Sequence, residues 1–319
     1  IHGKNIKKNY FVDHVMSFKI ITPNGKIKLC TKKKNKNLFF TTIGGLGLTG
    51  VILSVKFKLK KIKSTYMSLN KIFNEDTKYL SSNMEKFGKY EYMYIWLDSF
   101  PNNNKVKNII FLGNHSNVKR FDYSTNPKKI NFIEKFGFIF FNNYFFYRFV
   151  TKFYYFYNKI FNKKIIHMDK YFYAQDKYLD WNLLYGSKGF LQFQILIPNN
   201  NISKFLNEFY NFCKIFKVYS NLIVAKPQKK KIKFLNFYGT GFSLSFDFKN
   251  SKKSNLIKNF FLKNALKFDY IFNYSKDLYS NKSHVPNKYQ YNLFKRKLDK
   301  INKFKSFNSL LSKRIKIIK

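Results

Sequence analysis

Residues 44–50, Gly-Gly-Leu-Gly-Leu-Thr-Gly, place Gly45, Gly47 and Gly50 at the spacing G-x-G-x-x-G. That spacing can cradle a dinucleotide pyrophosphate when it joins a strand to the N-terminus of a helix. Here the following run, Val51-Ile-Leu-Ser-Val-Lys-Phe-Lys-Leu59, has the β-branched content of a strand and alternates from Ser54 onward. No acidic residue stands about 20 positions on to hold a ribose hydroxyl. A Rossmann site is excluded. A glycine loop between extended segments still lets backbone amides approach a nucleotide, because glycine lacks Cβ and tolerates positive φ. A second chemical feature is the pair Gln192 and Gln194. They alternate within an apolar run and so share one strand face.

Other chemistries are thin. His2, His14, His115, His167 and His284 show no zinc spacing. No nucleophile elbow or Walker loop occurs. The 16 carboxylates are too sparse to mark a hydrolase pair. Cys30 and Cys213 form no metal or redox spacing, which leaves a reduced, cytoplasmic setting as the expectation.

The net charge of +45 invites a nucleic-acid reading. Its make-up argues against one. Arginine occurs only at 120, 148, 296 and 314, and alanine only at 174, 225 and 265, while Lys, Asn, Ile, Phe and Tyr abound. These are residues of A/T-rich codons. Arginine, the residue that reads bases and phosphates in bidentate fashion, is what is scarce. Codon bias therefore accounts for the charge, and nucleic acid is not the expected partner.

The elements that must carry the chemistry are legible in outline. A hairpin runs from Ser17 to Leu29 around Pro23-Asn24-Gly25, where Asn-Gly is expected to supply the positive φ angles of a tight turn. A basic loop, 32–37, leads into the glycines, and the strand at 51–59 closes this unit. Strands are expected at 88–97 and 106–112. Residues 136–147 carry no charge and are followed by Arg148, Lys152, Lys159, Lys163 and Lys164. That stretch is too short to span a bilayer, which takes about 20 residues. It reads either as an aromatic core helix or as a segment lying at a membrane interface. Residues 190–273 are the best patterned. They give a strand at 190–197 and a helix with Ile202, Phe205, Leu206, Phe209, Phe212 and Phe216 on one face. Strands follow at 218–225 and 242–248, then a helix carrying Leu256, Ile257, Phe260, Phe261 and Leu266, then a strand near 270–272. This order is ferredoxin-like, two helices on one face of an antiparallel sheet. Residues 287–319 read as basic helix.

Ile1-His2-Gly3-Lys4-Asn5 at the start and Gly44-Gly45-Leu46-Gly47-Leu48-Thr49-Gly50-Val51 downstream resemble FAD-linked oxidases of the vanillyl-alcohol-oxidase superfamily, with its PCMH-type FAD-binding fold. The decaprenylphosphoryl-β-D-ribose 2′-oxidase branch is the nearest in pattern. The likeness continues in order through Tyr94-Ile95-Trp96-Leu97-Asp98, Phe172-Tyr173-Ala174-Gln175-Asp176, Trp181-Asn182, Tyr185-Gly186, Gly189 to Gln194 and Tyr274-Ser275-Lys276-Asp277. It implies an α+β chain in three parts. Residues 1–63 form the C-terminal part of an FAD-binding domain, 64–270 a ferredoxin-like substrate domain, and 271–319 a return to the FAD domain. The chain begins at Ile1, in motif-like sequence, so the first half of the flavin domain, with its pyrophosphate loop, is expected upstream or lost.

The resemblance implies oxidation of a sugar hydroxyl by hydride transfer to FAD, on a sugar or lipid-linked sugar such as a polyprenyl-phosphate-linked pentose in cell-wall polysaccharide synthesis. A reductase partner would complete an epimerisation, and a peripheral membrane contact would suit such a substrate. Lys276 matches the lysine that stabilises negative charge on reduced flavin. His2 and Lys4 match positions facing flavin and substrate. Gly3, Asn5, Gly44, Gly45, Gly47, Thr49, Gly50 and Val51 match residues bordering the cofactor. Trp96, Tyr173, Gln192, Gln194, Ser243 and Ser245 match the substrate pocket. Two departures stand out: Ser245 takes the place of a reactive cysteine, and Leu183 that of an arginine. The alternative reading is a degenerate flavoprotein remnant held at a membrane surface by its basic, aromatic face.

Overall fold

The computed structural model describes residues 3–8, 10–82, 84–102, 105–122, 129, 142–174, 178–229, 234–235, 237, 239–285 and 287–318. Helix and antiparallel sheet mix in an α+β fold. The first unit is a three-stranded sheet, β1 (Val15–Ile21), β2 (Ile27–Thr31) and β3 (Val51–Phe57), in the order β2-β1-β3. β1 and β2 form the expected hairpin, with Ile21 opposite Ile27. Only Gly25 of the turn takes positive φ, at 77°. Pro23 restrains the first central position to negative φ, so the turn needs a single left-handed residue rather than an Asn-Gly pair.

Helix α1 (Lys36–Thr42) precedes the glycine loop, where an extended segment was expected. Phe39 explains the difference. It is fully buried and stacks on Phe18 of β1 at 5.2 Å, which anchors the helix to the sheet. β3 follows the glycines and pairs antiparallel with β1, so the Rossmann geometry is absent. All seven residues of β3 are exposed, although its alternation would suit a strand with one buried face.

A second sheet of eight strands carries the rest. Its strands are β4 (Tyr66–Asn74), β5 (Tyr92–Leu97), β6 (Asn108–His115), β7 (Ile165–His167), β8 (Phe190–Ile197), β9 (Leu222–Gln228), β10 (Gly241–Lys249) and β11 (Ile271–Phe272). The order is β11-β8-β10-β9-β5-β6-β4-β7, with every pairing antiparallel. The segment β11-β8-β10-β9 has the ferredoxin-like arrangement. The earlier strands extend that same sheet through the β9–β5 pairing rather than forming a layer of their own.

Helix α2 (Tyr144–Ile160) lies between β6 and β7 in sequence. Helices α3 (Ile202–Phe216) and α4 (Ser254–Lys267) cover one face of the large sheet. In α3 the period-3.6 pattern buries Ile202, Phe205, Leu206 and Phe209 as expected, together with Tyr210 and Cys213, while Phe216 is exposed. In α4, Ile257, Phe260 and Phe261 are buried with Asn264 and Ala265, but Leu256 and Leu266 face solvent. The core between helices and sheet is aromatic, with Phe193 of β8 stacked on Phe261 at 4.3 Å. The basic C-terminal segment forms α5 (Lys288–Ile301) and α6 (Leu310–Arg314), and α5 sits beside α1.

Candidate functional site

Register decides which side chains look away from the helices. Ser245 of β10 lies opposite Gln194 of β8 and Val224 of β9, and Val224 lies opposite Trp96 of β5. Directly opposed residues in an antiparallel pair point the same way. The face turned away from α3 and α4 therefore carries Gln192 and Gln194, then Ser243, Ser245 and Asp247, then Lys226, then Trp96. A cleft of about 580 Å³ lies between this face and the three-stranded sheet. Its small-sheet wall is apolar, from Val15, Phe18, Ile52 and Val55. Its opposite end is polar, from Gln194, Lys226, Asn273 and Lys276.

The polar end is a bonded network. Gln194 Nε2 donates to Ser243 Oγ at 3.1 Å, and Gln194 Oε1 accepts from Asn273 Nδ2 at 2.7 Å. The Asn273 amide also donates to the Gln194 carbonyl, which ties the loop after β11 to β8. Gln192 Nε2 donates to Asp247 Oδ1 at 2.7 Å, and the Tyr185 hydroxyl donates to Asp247 Oδ2 at 3.0 Å. Burial raises the Asp247 carboxyl pKa, against the opposing pull of Gln192, Tyr185 and the Lys276 charge. The two glutamines are thus oriented by their neighbours rather than left to rotate.

Two lysines reach this end. Burial, aided by the charge of Lys276, lowers Lys226 to about 8. Lys276 stands at the cleft mouth, exposed by area yet crowded by its walls. That crowding lowers its pKa, while Asp247 opposes the fall. Its loop is clamped from behind. Arg314 Nη2 donates to the Asp277 carbonyl at 2.8 Å and pairs with Asp277 Oδ2 at 3.1 Å. Asp277 also accepts from the amides of Tyr279 and Ser280.

Among the expected site residues, Gly44, Gln194 and Lys276 line the cleft. Ser243 joins through Gln194, while Gln192 and Ser245 lie along the same sheet face. Trp96 is buried under α2, its ring 5.0 Å from that of Tyr154, and Tyr173 is exposed. Lys4 is bound elsewhere. Its Nζ donates to the carbonyls of Tyr171 and Phe172 and sits 4.2 Å from the Tyr94 ring centroid. Asn5 donates to Glu91 Oε1 at 3.0 Å, so this segment, Gly3 included, runs beside β5. His2 lies outside the described residues.

Within the glycine loop each residue has its own reason. A Cβ on Gly45 would lie 2.4 Å from the Thr41 carbonyl oxygen, and one on Gly50 2.0 Å from that of Ile21. Gly47 needs its positive φ of 76° in open space. Thr49 Oγ1 donates to Thr42 Oγ1 at 3.0 Å, and Val51 is exposed at the start of β3.

Sequence reasoning missed Lys226, Asn273 and Tyr10, whose hydroxyl donates to Gln228 Oε1 at 2.6 Å. The signal for Lys226 was its parity with Val224 and Leu222. A strand expected only to residue 225 stopped one short of it.

Among the described residues no group of three His, Cys, Asp or Glu side chains is placed to hold a metal ion. No family model matches the chain. Decaprenylphosphoryl-β-D-ribose oxidase of Mycolicibacterium smegmatis is 25% identical over 241 residues, covering 69% of this chain and 52% of that protein. Cytokinin dehydrogenase 1 of Arabidopsis thaliana is 28% identical over 123 residues, 34% of this chain and 21% of its own length. Cytokinin dehydrogenase 3 of the same plant is 35% identical over 60 residues. The chain is thus similar to FAD-linked oxidases and dehydrogenases of the PCMH-type superfamily. It spans about half the length of the sugar oxidase and less of the dehydrogenases. These relatives are FAD-dependent oxidases and dehydrogenases.

The cleft suits the ring end of FAD. Apolar walls with cations at one end match a flat aromatic system that gains negative charge on reduction. The phosphate end is served differently. The glycine loop follows the C-terminus of α1, where the helix dipole is negative and repels phosphate. The pyrophosphate therefore needs donors beyond this loop.

Proposed function

We propose that this chain forms the substrate side and part of the cofactor side of an FAD-dependent oxidoreductase that oxidises a sugar hydroxyl. The single observation that carries the reading is the pair Lys226 and Lys276 at the polar end of an otherwise apolar cleft, beside the ordered Gln194–Ser243–Asn273 network. Bound there, FAD would accept a hydride from the carbinol carbon. Lys276 and Lys226 would favour the negative charge that results. Lys226 Nζ, lowered to about 8, would take the hydroxyl proton in its neutral form, which becomes abundant as the pH rises through that value. Gln194, held from both sides, would orient a sugar hydroxyl. The name of the sugar oxidase relative supports a lipid-linked pentose as substrate, and the group oxidised in this reading is its 2′-OH.

The exposed strand β3 supports a composite flavin site. Val51, Ile52, Leu53, Val55 and Phe57 are all solvent-exposed on a strand that pairs only with β1 among the described residues. An apolar strand with an open edge calls for further polypeptide to pair with it. That is where the remaining half of a flavin domain would sit.

The test is spectroscopic. Protein purified from the complete gene, or joined by its complementary half, is expected to carry a flavin absorbance band that bleaches anaerobically on adding the sugar alcohol. Lys226→Met should slow the bleaching without removing the flavin. Protein that stays colourless with added FAD in both forms refutes the reading.

A further inference from the structure

Helix α2 wears its apolar side outward. At 100° per residue, Tyr147, Thr151 and Tyr155 share the inner side and are buried. The Tyr147 hydroxyl donates to the Asn221 carbonyl, and the Tyr155 ring packs 5.6 Å from Phe73. On the opposite side stand Phe145, Phe149, Phe153, Phe156 and Ile160, all solvent-exposed, Phe145 at 79% and Phe149 at 65%. Among the described residues, the rings of Phe149, Phe153, Tyr157 and Phe161 meet in sequence along the helix. Centroids are 6.5 Å apart for Phe149–Phe153, 5.9 Å for Phe153–Tyr157 and 4.9 Å for Tyr157–Phe161, an i, i+4 ladder along the helix.

One border of this stripe is cationic. Arg148, Lys152 and Lys159 lie along it, exposed, and Lys163 and Lys164 follow the helix end, while no Asp or Glu occurs from 144 to 164. An exposed apolar patch of this size on a folded protein marks a contact surface. An aromatic stripe edged by cations with no acidic group is complementary to a surface that is apolar within and negative at its rim. The helix cannot cross such a layer, because no described helix is long and apolar enough to span a membrane. It can lie in the interface.

We propose that α2 docks on an anionic lipid bilayer. Its ring ladder enters the boundary between headgroups and acyl chains, and Arg148, Lys152 and Lys159 meet lipid phosphates. Docking orients the rest of the molecule. Tyr154 packs on Trp96, which shares with Ser245 and Gln194 the face of the large sheet turned away from α3 and α4. The membrane and the cleft therefore address the same face of that sheet. This surface stands independently of the redox reading, since none of its residues lines the cleft.

The test separates insertion from the general attraction of a very basic protein to anionic lipid. The full chain carrying Phe153→Trp is mixed with vesicles of phosphatidylcholine and phosphatidylglycerol, with and without brominated acyl chains. The new indole is expected to shift to the blue and to be quenched by the bromine. The double variant Phe149→Ser/Phe153→Ser should lower partitioning at least about tenfold, since burying one such ring is worth roughly that factor. Both rings are exposed, so its urea midpoint should match that of the parent. Lys32→Glu/Lys34→Glu, in the loop before α1, should leave quenching at position 153 unchanged. Sedimentation with vesicles that shows no quenching at position 153 and no loss in the serine double variant overturns the proposal. So does a concentration-dependent dimer that the serine double variant abolishes while the parent ignores vesicles, which would assign the face to a second copy of the chain.

Discussion

Replacing Lys226 by Met should stabilise the protein at neutral pH, and the gain should fade as the solution becomes alkaline. Lys226 falls from 10.5 to about 8 because the cleft desolvates it and Lys276 repels it. At about 1.4 kcal/mol for each tenfold change in proton affinity, keeping Lys226 charged in the fold costs about 3 kcal/mol. Below pH 8 the folded and unfolded states both hold the proton, so the full cost is present. Between 8 and 10.5 the folded state releases its proton while the unfolded state keeps it, and stability rises with pH. Above 10.5 both states are neutral and the cost is gone. Methionine has a similar length and no charge, and it keeps its contacts with the apolar wall. Urea unfolding of the parent and Lys226→Met, followed by tryptophan fluorescence at several values from pH 7 to 10.5, reads the difference directly. Taking the difference cancels the ionisation of the many tyrosines, which both proteins share. A gain of about 2–3 kcal/mol at pH 7 that shrinks towards zero by pH 10.5 is the expected result. A variant that is less stable at pH 7, or a gain independent of pH, would refute the placement of a desolvated lysine in this cleft.

Three further outcomes follow from the same geometry. Lys276→Met removes the charge that helps depress Lys226, so the pKa of Lys226 should rise; the pH dependence of its acylation by an amine-reactive reagent, read by mass spectrometry, checks this. Arg314→Ala leaves buried Asp277 without its cation and should cost about 3 kcal/mol or more in urea unfolding, while Asp277→Asn/Arg314→Met, which removes both charges, should cost less. Gly50→Ala should prevent normal folding, because φ is 139° and the new Cβ would meet the Ile21 carbonyl at 2.0 Å; Gly47→Ala, in open space at φ 76°, should cost only about 1–2 kcal/mol, and thermal melts distinguish the two.

Much of the scaffold was legible because its signals are local. The strand after Gly50, the buried faces of α3 and α4, and the strand–helix–strand–strand–helix–strand order all arise from periodicity within about fifteen residues. So does the shared sidedness of Gln192 and Gln194, since a strand has a period of two. Local patterns failed where distant contacts set the outcome. Helix α1 replaced an extended segment because Phe39 found Phe18 on β1, about twenty residues upstream. Ile257, Phe260 and Phe261 are buried as read, but Leu256 and Leu266, read with them, face solvent because the register of α4 on the sheet turns them outward.

The residues alone therefore determined that the glycine loop precedes a strand, that the chain is α+β, and that two glutamines face one way. They also carried a collinear likeness to FAD-linked oxidases. Only the tertiary structure decided that Lys226 joins Lys276, because the pairing of Lys226 with Ser243 across β9 and β10 puts it on the face turned away from α3 and α4. It alone decided that Lys4 is held by Tyr171 and Phe172 away from the cleft, and that α2 shows its rings to solvent. The physical reason is common to all three. Local sequence sets which side of an element a residue occupies, but what that side meets depends on strand register and on contacts across the whole chain.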